Sequence, residues 1–369
     1  MKEDIVGKFK RYVQINSESG NEKEFANLLI NELKNLGLSV VQDQFKKLHH
    51  SNTSNIIATL EGSGEDSIFL CAHMDTVKPG INIEPYEKEG NIYSKGDTIL
   101  GADDKAGVAV IMSTLEKIIE EKIPHRRVEV IFTVHEEGSL YGSKALDYDL
   151  IQSKEGLVLD SSGEVGGIVT KAPSKEKISA EVIGKSSHAG IAPEKGINAI
   201  AVASEAISKM RLSNVDRETT ANIGTMNGGD ATNVVPDNVN VTGEVRSFKD
   251  KNRGKQIDHM KECIDNSINK HKAEGKITTE LLYKGYDISE KDNFVQEIIK
   301  SGEEAGIEMF TRDSKGGSDA NVFNGHGIKT VNLVIGTQNA HTMDEYIAID
   351  SLINCSKIIY NLLTIQKES

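Results

Sequence analysis

This sequence predicts an α/β fold, a mixed, largely parallel sheet flanked by helices, interrupted by a smaller α+β insertion. Three observations predict it. Apolar runs of strand length alternate with helical periodicity through the first third. The same pattern returns beyond Gly285, and the stretch between alternates apolar with polar residues. The elements follow in order. Asn21-Glu22-Lys23-Glu24 reads as a capping box opening a helix whose Phe25, Leu28, Leu29 and Leu33 share one face, with Gly37 placed to end it. Val40-Val41, Asn55–Leu60 and Ile68–Ala72 read as strands. From Lys105 onward, Val108, Ile111, Met112, Leu115 and Ile118 keep helical spacing, and Arg127–Val134 and Gly156–Leu159 are again strands. In the middle, Lys175–Lys185 and Asn238–Arg246 alternate as half-buried strands do, beside helices at Gly196–Met210 and Lys251–Ala273. A helix from Lys291 to Gly306 and a buried strand, Thr330–Ile335, complete the first sheet. Residues 1–173 and 287–369 are therefore expected to form one discontinuous domain, and 174–286 an inserted one.

With 37% apolar residues over a length of 369, the chain can bury a core throughout. No apolar run reaches the roughly 18–20 residues of a membrane span. Met1-Lys2-Glu3-Asp4-Ile5 lacks the charged-then-apolar pattern of a secretion signal. Cys71, Cys263 and Cys355 are too few and too scattered for a disulfide framework or a thiolate cage. These features predict a protein of the reducing cytoplasm, away from membranes. A formal charge of −13 and the absence of Trp argue against nucleic acid, which needs basic stripes and stacking platforms.

Part of that acidity sits at predicted strand ends. His73-Met74-Asp75, Gly101-Ala102-Asp103-Asp104-Lys105, His135-Glu136-Glu137, Asp160 and His341 each close an apolar strand or open a loop. In open α/β sheets, ligands bind in the crevice at the strand C-termini. Imidazole with carboxylate is the donor set of zinc and similar divalent ions. One His-x-Asp or Glu-Glu is ordinary on a protein surface, whereas several at corresponding strand ends point to a metal site.

In this order, His73-x-Asp75-x-Val77, the Gly101–Lys105 segment, Glu136-Glu137-Gly138 and the late His341 resemble the M20 family of dizinc aminoacylase- and carboxypeptidase-type hydrolases. Within it, they are most similar to the branch related to peptidase T, the aminotripeptidases. The resemblance implies two divalent cations per chain, zinc first, with cobalt or manganese as alternatives. His73 and Asp160 would bind one ion and Glu137 and His341 the other. Asp103 would bridge both, one carboxylate oxygen to each. Two such cations about 3.5–4 Å apart can clamp a hydroxide and polarise a scissile carbonyl. Asp75 would accept the His73 imidazole N–H and fix its tautomer. Glu136 would be the general base, taking a proton from water and handing it to the leaving amine. His135 stands where the family commonly has Asp, at a position that is not usually a ligand. The peptide bond after the bridging aspartate is typically cis in the family.

Ser187-His188-Ala189-Gly190 and the following Ala192–Ala199 resemble the family's lid and dimerisation segment. The resemblance makes the insertion a lid and dimerisation domain and the chain a homodimer. His188 would then donate to the oxyanion in the partner's site. Gly228-Gly229, Asn233-Val234-Val235-Pro236 and Gly243–Arg246 also match. Arg246 becomes a candidate clamp for a substrate carboxylate and Asn233 a holder of the substrate main chain. Gly317, within Gly316-Gly317-Ser318-Asp319, belongs to a loop expected to line the substrate's far end. Lys315 stands where the tripeptidase branch has Arg, keeping the charge but losing the fork. Met74 and Met343 are expected to pack around the metals and Cys71 to be buried in its strand. His49, His50, His125, His259, His271 and His326 are expected on surfaces or loops. The implied function is an exopeptidase that releases the N-terminal residue of tripeptides or other short peptides. Two alternatives remain: a deacylase of N-acyl amino acids on the same fold, and a non-catalytic derivative. The second requires a missing ligand or base, and none is missing.

Overall fold

The structure, a computed structural model, describes residues 4–44, 51–63 and 66–364. It divides into two compact units. The first holds the chain up to Lys171, Asp287–Ser314 and the part from Ser318 on; the second holds Ala172–Tyr286 and Lys315–Gly317.

In the first unit, the central sheet runs in the order Ser39–Gln42, Ile56–Leu60, Arg127–Thr133, Ser67–His73, Glu155–Ser161, Lys329–Val334 and Gly167–Ala172. The four inner strands from Arg127–Thr133 to Lys329–Val334 pair in parallel, and antiparallel pairing is confined to the flanks. This is the mixed, largely parallel sheet expected. The parallel strands are continuous apolar runs because helices cover both faces: Ile68–Ala72 and Val130–Phe132 are fully buried. The helix Ala102–Glu121 packs against them through Val108, Ile111, Met112, Leu115 and Ile118. Gly156 lies against the Phe69 ring, where a Cβ would come within 2.0 Å of a ring carbon, so only Gly fits between these strands.

The sequence reading erred at the helix Lys23–Asn35. Glu22 occupies its N-cap with no side-chain cap bond, so there is no capping box. The Glu22 carboxylate instead accepts from Gly20 N, Ser51 Oγ and His135 N. Also unforeseen were the helix Ile349–Thr364 and a four-stranded sheet of Thr337–Gln338, Tyr346–Ala348, Asn91–Ser94 and Pro85–Lys88. Tyr346, Tyr93 and Tyr86 stack across that sheet, pinning the hairpin that carries His341.

The second unit is a five-stranded antiparallel sheet in the order Ser213–Asn214, Thr219–Gly228, Asn238–Ser247, Ser174–Ile183 and Glu274–Tyr283. Ile178, Ala180 and Val182 alternate inward from Ser174–Ile183. They meet Val202 and Ala206 of the helix Ala199–Lys209, and Ile257, Met260 and Ile264 of the helix Asp250–His271. No helix among the described residues is long and apolar enough to cross a membrane.

Candidate active site

The acidic and imidazole clusters of the first unit converge. His73 ends its strand with Nε2 2.9 Å from Asp103 Oδ1 and 3.7 Å from Asp160 Oδ1. Asp103 stands two residues after Gly101, which takes φ 71°, and its own φ −83° and ψ 102° lie outside the helical region. The Asp103–Asp104 peptide bond is cis. Asp103 Oδ2 is 3.2 Å from His341 Nε2, which stands 2.7 Å from Glu137 Oε1. The two oxygens of Asp103 therefore face two different imidazoles. Glu137 Oε1 is buried and makes no hydrogen bond despite that short approach.

His73, Asp103 and Glu137 form one grouping at ligand distances, and His73, Asp104 and Asp160 another. Both Asp104 oxygens already accept backbone N–H groups, from His73 and Gly107 at 3.1 Å each, and this leaves Asp160 as the freer acid of that set. The donor set and its geometry fit a pair of divalent cations.

The electrostatics fit as well. Burial, with the Asp103 charge added, pushes the Asp160 carboxyl up to about 7 against the pull of His73. Burial and then Asp160 raise Glu136 well above the ordinary carboxylate range. The carboxylates of Asp103 and then Glu137 push His341 up to about 10. Burial alone would lower His73, but Asp103, Asp160 and Asp75 outweigh it and raise it. Burial first, and then the neighbouring carboxylates, thus favour the neutral form of Asp160 and Glu136, and the carboxylates favour the protonated form of the two imidazoles.

Asp75 approaches His73 Nδ1 with two of its atoms. Its backbone carbonyl takes the 2.9 Å bond to His73 Nδ1, while its carboxylate stands 3.4 Å away. That carboxylate accepts instead from Glu136 N at 2.8 Å, Glu137 N at 3.2 Å and Ser19 Oγ at 2.7 Å. Asn55 Oδ1 accepts from Val134 N and Glu22 from His135 N, so four consecutive backbone N–H groups are held by three side chains. His135 takes φ 51°, which turns the chain there and presents the two glutamates differently.

Sequence reasoning missed Glu345. It is 1% exposed and accepts from Leu100 N, Gly101 N and Asp103 N. Burial, then the Asp103 charge, lift its carboxyl to about 7. An acid four residues beyond His341 was the only signal in the sequence. Other placements also depart from expectation. Met343 is 57% exposed and does not pack, whereas Met74 and Cys71 are fully buried. Asp319 is buried, accepting from Thr133 Oγ1 and Ser143 Oγ. His271 pairs with Glu205 at 2.6 Å, His259 accepts from Arg211 N, and His49 and His50 lie outside the described residues.

The second unit carries His188, Asn233, Arg246 and Gly317. His188 sits on an exposed loop tied to 231–236 by Ala189 N donating to Asn233 O and Val235 N to Ser187 O. Its Nδ1 accepts from Gly190 N and Ile191 N, which places the proton of the neutral ring on Nε2. Asn233 is exposed. Arg246 donates to Glu244 Oε1 at 2.7 Å, so part of its fork is already engaged. Gly317 lies against the Tyr283 ring, a Cβ there meeting it at 2.3 Å; close packing accounts for this glycine.

The chain matches the description Peptidase family M20/M25/M40 over residues 69–365. It belongs to that family. A Bacillus subtilis protein, YqjE, is 39% identical over 97% of both chains. The M20 fold is shared with aminopeptidase PepT from Bacillus cereus, 40% identical with a TM-score of 0.89. It is shared too with a tripeptidase from Staphylococcus aureus, 37% identical with a TM-score of 0.93; each alignment covers 98% of this chain and 97% of the other. Peptidase T of Clostridium perfringens is 27% identical over 98% of both chains. The chain is thus an M20 peptidase, and its converging His, Asp and Glu side chains are its candidate metal-binding residues.

Proposed function

We propose that this M20 peptidase is a two-metal exopeptidase of short peptides that releases the N-terminal residue of tripeptides. The observation that carries the two-metal reading is Asp103, whose two oxygens lie 2.9 and 3.2 Å from the Nε2 atoms of His73 and His341. His73 and Asp160 would hold one cation, Glu137 and His341 the other, and Asp103 both. Zinc suits this donor set, with cobalt and manganese close behind. The pair would supply the positive charge that acidifies water and polarises the scissile carbonyl. Glu136, buried and raised, is fitted to take the proton from the attacking water and return it to the leaving amine. His188, with its proton on Nε2, would donate to the oxyanion from the partner of a homodimer formed through the second unit, which would act as lid and dimerisation domain. Arg246 would meet the substrate carboxylate, with Asn233 and the Gly317 loop beside the main chain. The tripeptidase and aminopeptidase names of the relatives at 37–40% identity support the substrate class.

The test combines metal analysis with a substrate screen. Gently purified protein should carry close to two divalent ions per chain. Chelation should abolish hydrolysis, and Zn²⁺, Co²⁺ or Mn²⁺ should restore it. Free tripeptides should be cut in preference to N-acyl amino acids. Full activity with metal confirmed absent refutes the mechanism, and a preference for N-acyl amino acids refutes the substrate.

A further inference from the structure

Two ligand-bearing segments, far apart in sequence, are joined by one carboxylate. Gly101–Asp104 brings Asp103 to the centre, and the hairpin between Thr337–Gln338 and Tyr346–Ala348 brings His341. Glu345 belongs to that hairpin. Its Oε2 accepts from Leu100 N at 2.8 Å and Gly101 N at 2.7 Å, and its Oε1 from Asp103 N at 3.0 Å. Glu345 N in turn donates to Thr342 O within the hairpin, and the neighbouring Tyr346 stacks on Tyr93. These bonds leave the Asp103 and His341 carboxylate and imidazole atoms free to face each other. Asp103 itself sits in non-helical backbone, where regular helix hydrogen bonding does not hold it.

We infer that Glu345 is a positioning residue for the metal centre, clamping the Asp103 turn to the His341 hairpin so that their donor atoms meet at binding distance. This rests on the two-metal reading above. A buried carboxylate accepting three backbone N–H groups is a rigid joint, and the bonds that orient ligands govern metal affinity. A geometric consequence follows. Glu345→Gln keeps one oxygen, which can still serve Leu100 and Gly101, but turns an NH₂ toward Asp103 N–H. The hold on Asp103 is then lost while the other two bonds survive.

The experiment is a Zn²⁺ titration of metal-free wild type, Glu345→Gln and Glu345→Ala against a chromophoric chelator, with each metal-free unfolding temperature measured beside it. Tripeptide hydrolysis is then followed from limiting to excess Zn²⁺. Zn²⁺ affinity should fall about 10–100-fold in Glu345→Gln, and further in Glu345→Ala. Activity lost at limiting Zn²⁺ should return in Glu345→Gln as Zn²⁺ is raised. Wild-type Zn²⁺ affinity in both variants, whatever their unfolding temperatures, overturns the inference and leaves Glu345 a purely structural acid. A wild-type chain that binds no metal overturns the two-metal reading and this inference with it.

Discussion

Replacing Asp75 with Asn separates two roles for this residue, one through His73 and one through the Glu136–Glu137 turn. The side chain is fully buried, and its oxygens accept from Glu136 N, Glu137 N and Ser19 Oγ. An amide keeps one oxygen and turns an NH₂ toward one of the two backbone N–H groups. A hydrogen bond to a charged acceptor contributes about 1.5–3 kcal/mol, and a buried donor left unpaired costs about 1–3 kcal/mol, so the turn loses about 3 kcal/mol. Expressed in the barrier, that is about 10²-fold in kcat, the same order as a 1 Å displacement of a reacting group. His73 keeps its tautomer, because the Asp75 carbonyl, not the carboxylate, takes the Nδ1 bond. The assay is kcat on a saturating tripeptide in excess Zn²⁺, with bound metal counted and the unfolding temperature recorded. The expected result is kcat lower by about 10², with metal retained on the His73 side. Loss of that metal with kcat per occupied site unchanged would mean that Asp75 acts through the imidazole, and the reasoning here would be wrong.

Glu136→Gln should keep both metals and bind peptide while kcat falls by about 10²–10⁴, whereas Glu137→Ala should lose one metal on elemental analysis. The opposite pattern would invert the assignment of the two glutamates. If His188 serves the partner's site, Glu136→Gln and His188→Ala dimers should each be nearly inactive. Random re-pairing of equal amounts should then restore about a quarter of wild-type activity, since half the dimers are mixed and each has one intact site. Mixed dimers confirmed by mass spectrometry with no activity restored would place His188 in its own chain's site or in none.

Long apolar strands and periodic helices were legible because burial leaves a repeating mark on the residues. Ile68–Ala72 and the stripe from Val108 to Ile118 could hardly be read otherwise. Several missed elements lack that mark, although the helix Ile349–Thr364 carries it in Leu352, Cys355, Ile358, Ile359 and Leu362 and was missed all the same. Thr219–Gly228 is a ten-residue strand that is mostly exposed, and its Asn, Thr and Gly residues look like loop. Pro85–Lys88 and Tyr346–Ala348 are too short to show a period and are held by cross-strand tyrosine stacking. Glu22 shows how a local rule fails. Asn21 and Glu24 have the spacing of a capping box, but Glu22 takes the N-cap position and its oxygens accept from Gly20 N, Ser51 Oγ and His135 N.

Within the site, the sequence showed which residues are acidic but not what each acid does. Asp103, Glu137 and Asp160 turn oxygens toward imidazole nitrogen, as ligands would. Asp75, Asp104, Glu22 and Glu345 are more deeply buried and turn theirs toward backbone N–H groups, with Ser19 Oγ added on Asp75 and Ser51 Oγ on Glu22. Both kinds are Asp or Glu beside a strand end, and spacing alone cannot separate them. Their division is what the proposed two-cation centre would require. Its ligands must be fixed before the ions arrive, and the segments presenting them leave regular secondary structure, so their N–H groups need other acceptors. A carboxylate meets both needs, because it accepts several N–H bonds and adds negative potential where positive charge will sit. Burial first and the Asp103 charge after it bring Asp160 and Glu345 up to about 7, and the carboxylates of Asp103 and Glu137 bring His341 up to about 10. Four positive charges from two divalent ions would let these carboxyls ionise and these imidazoles give up their protons. On the proposed two-metal reading, the acids that hold these backbone N–H groups would support the metal centre as its ligands would form it.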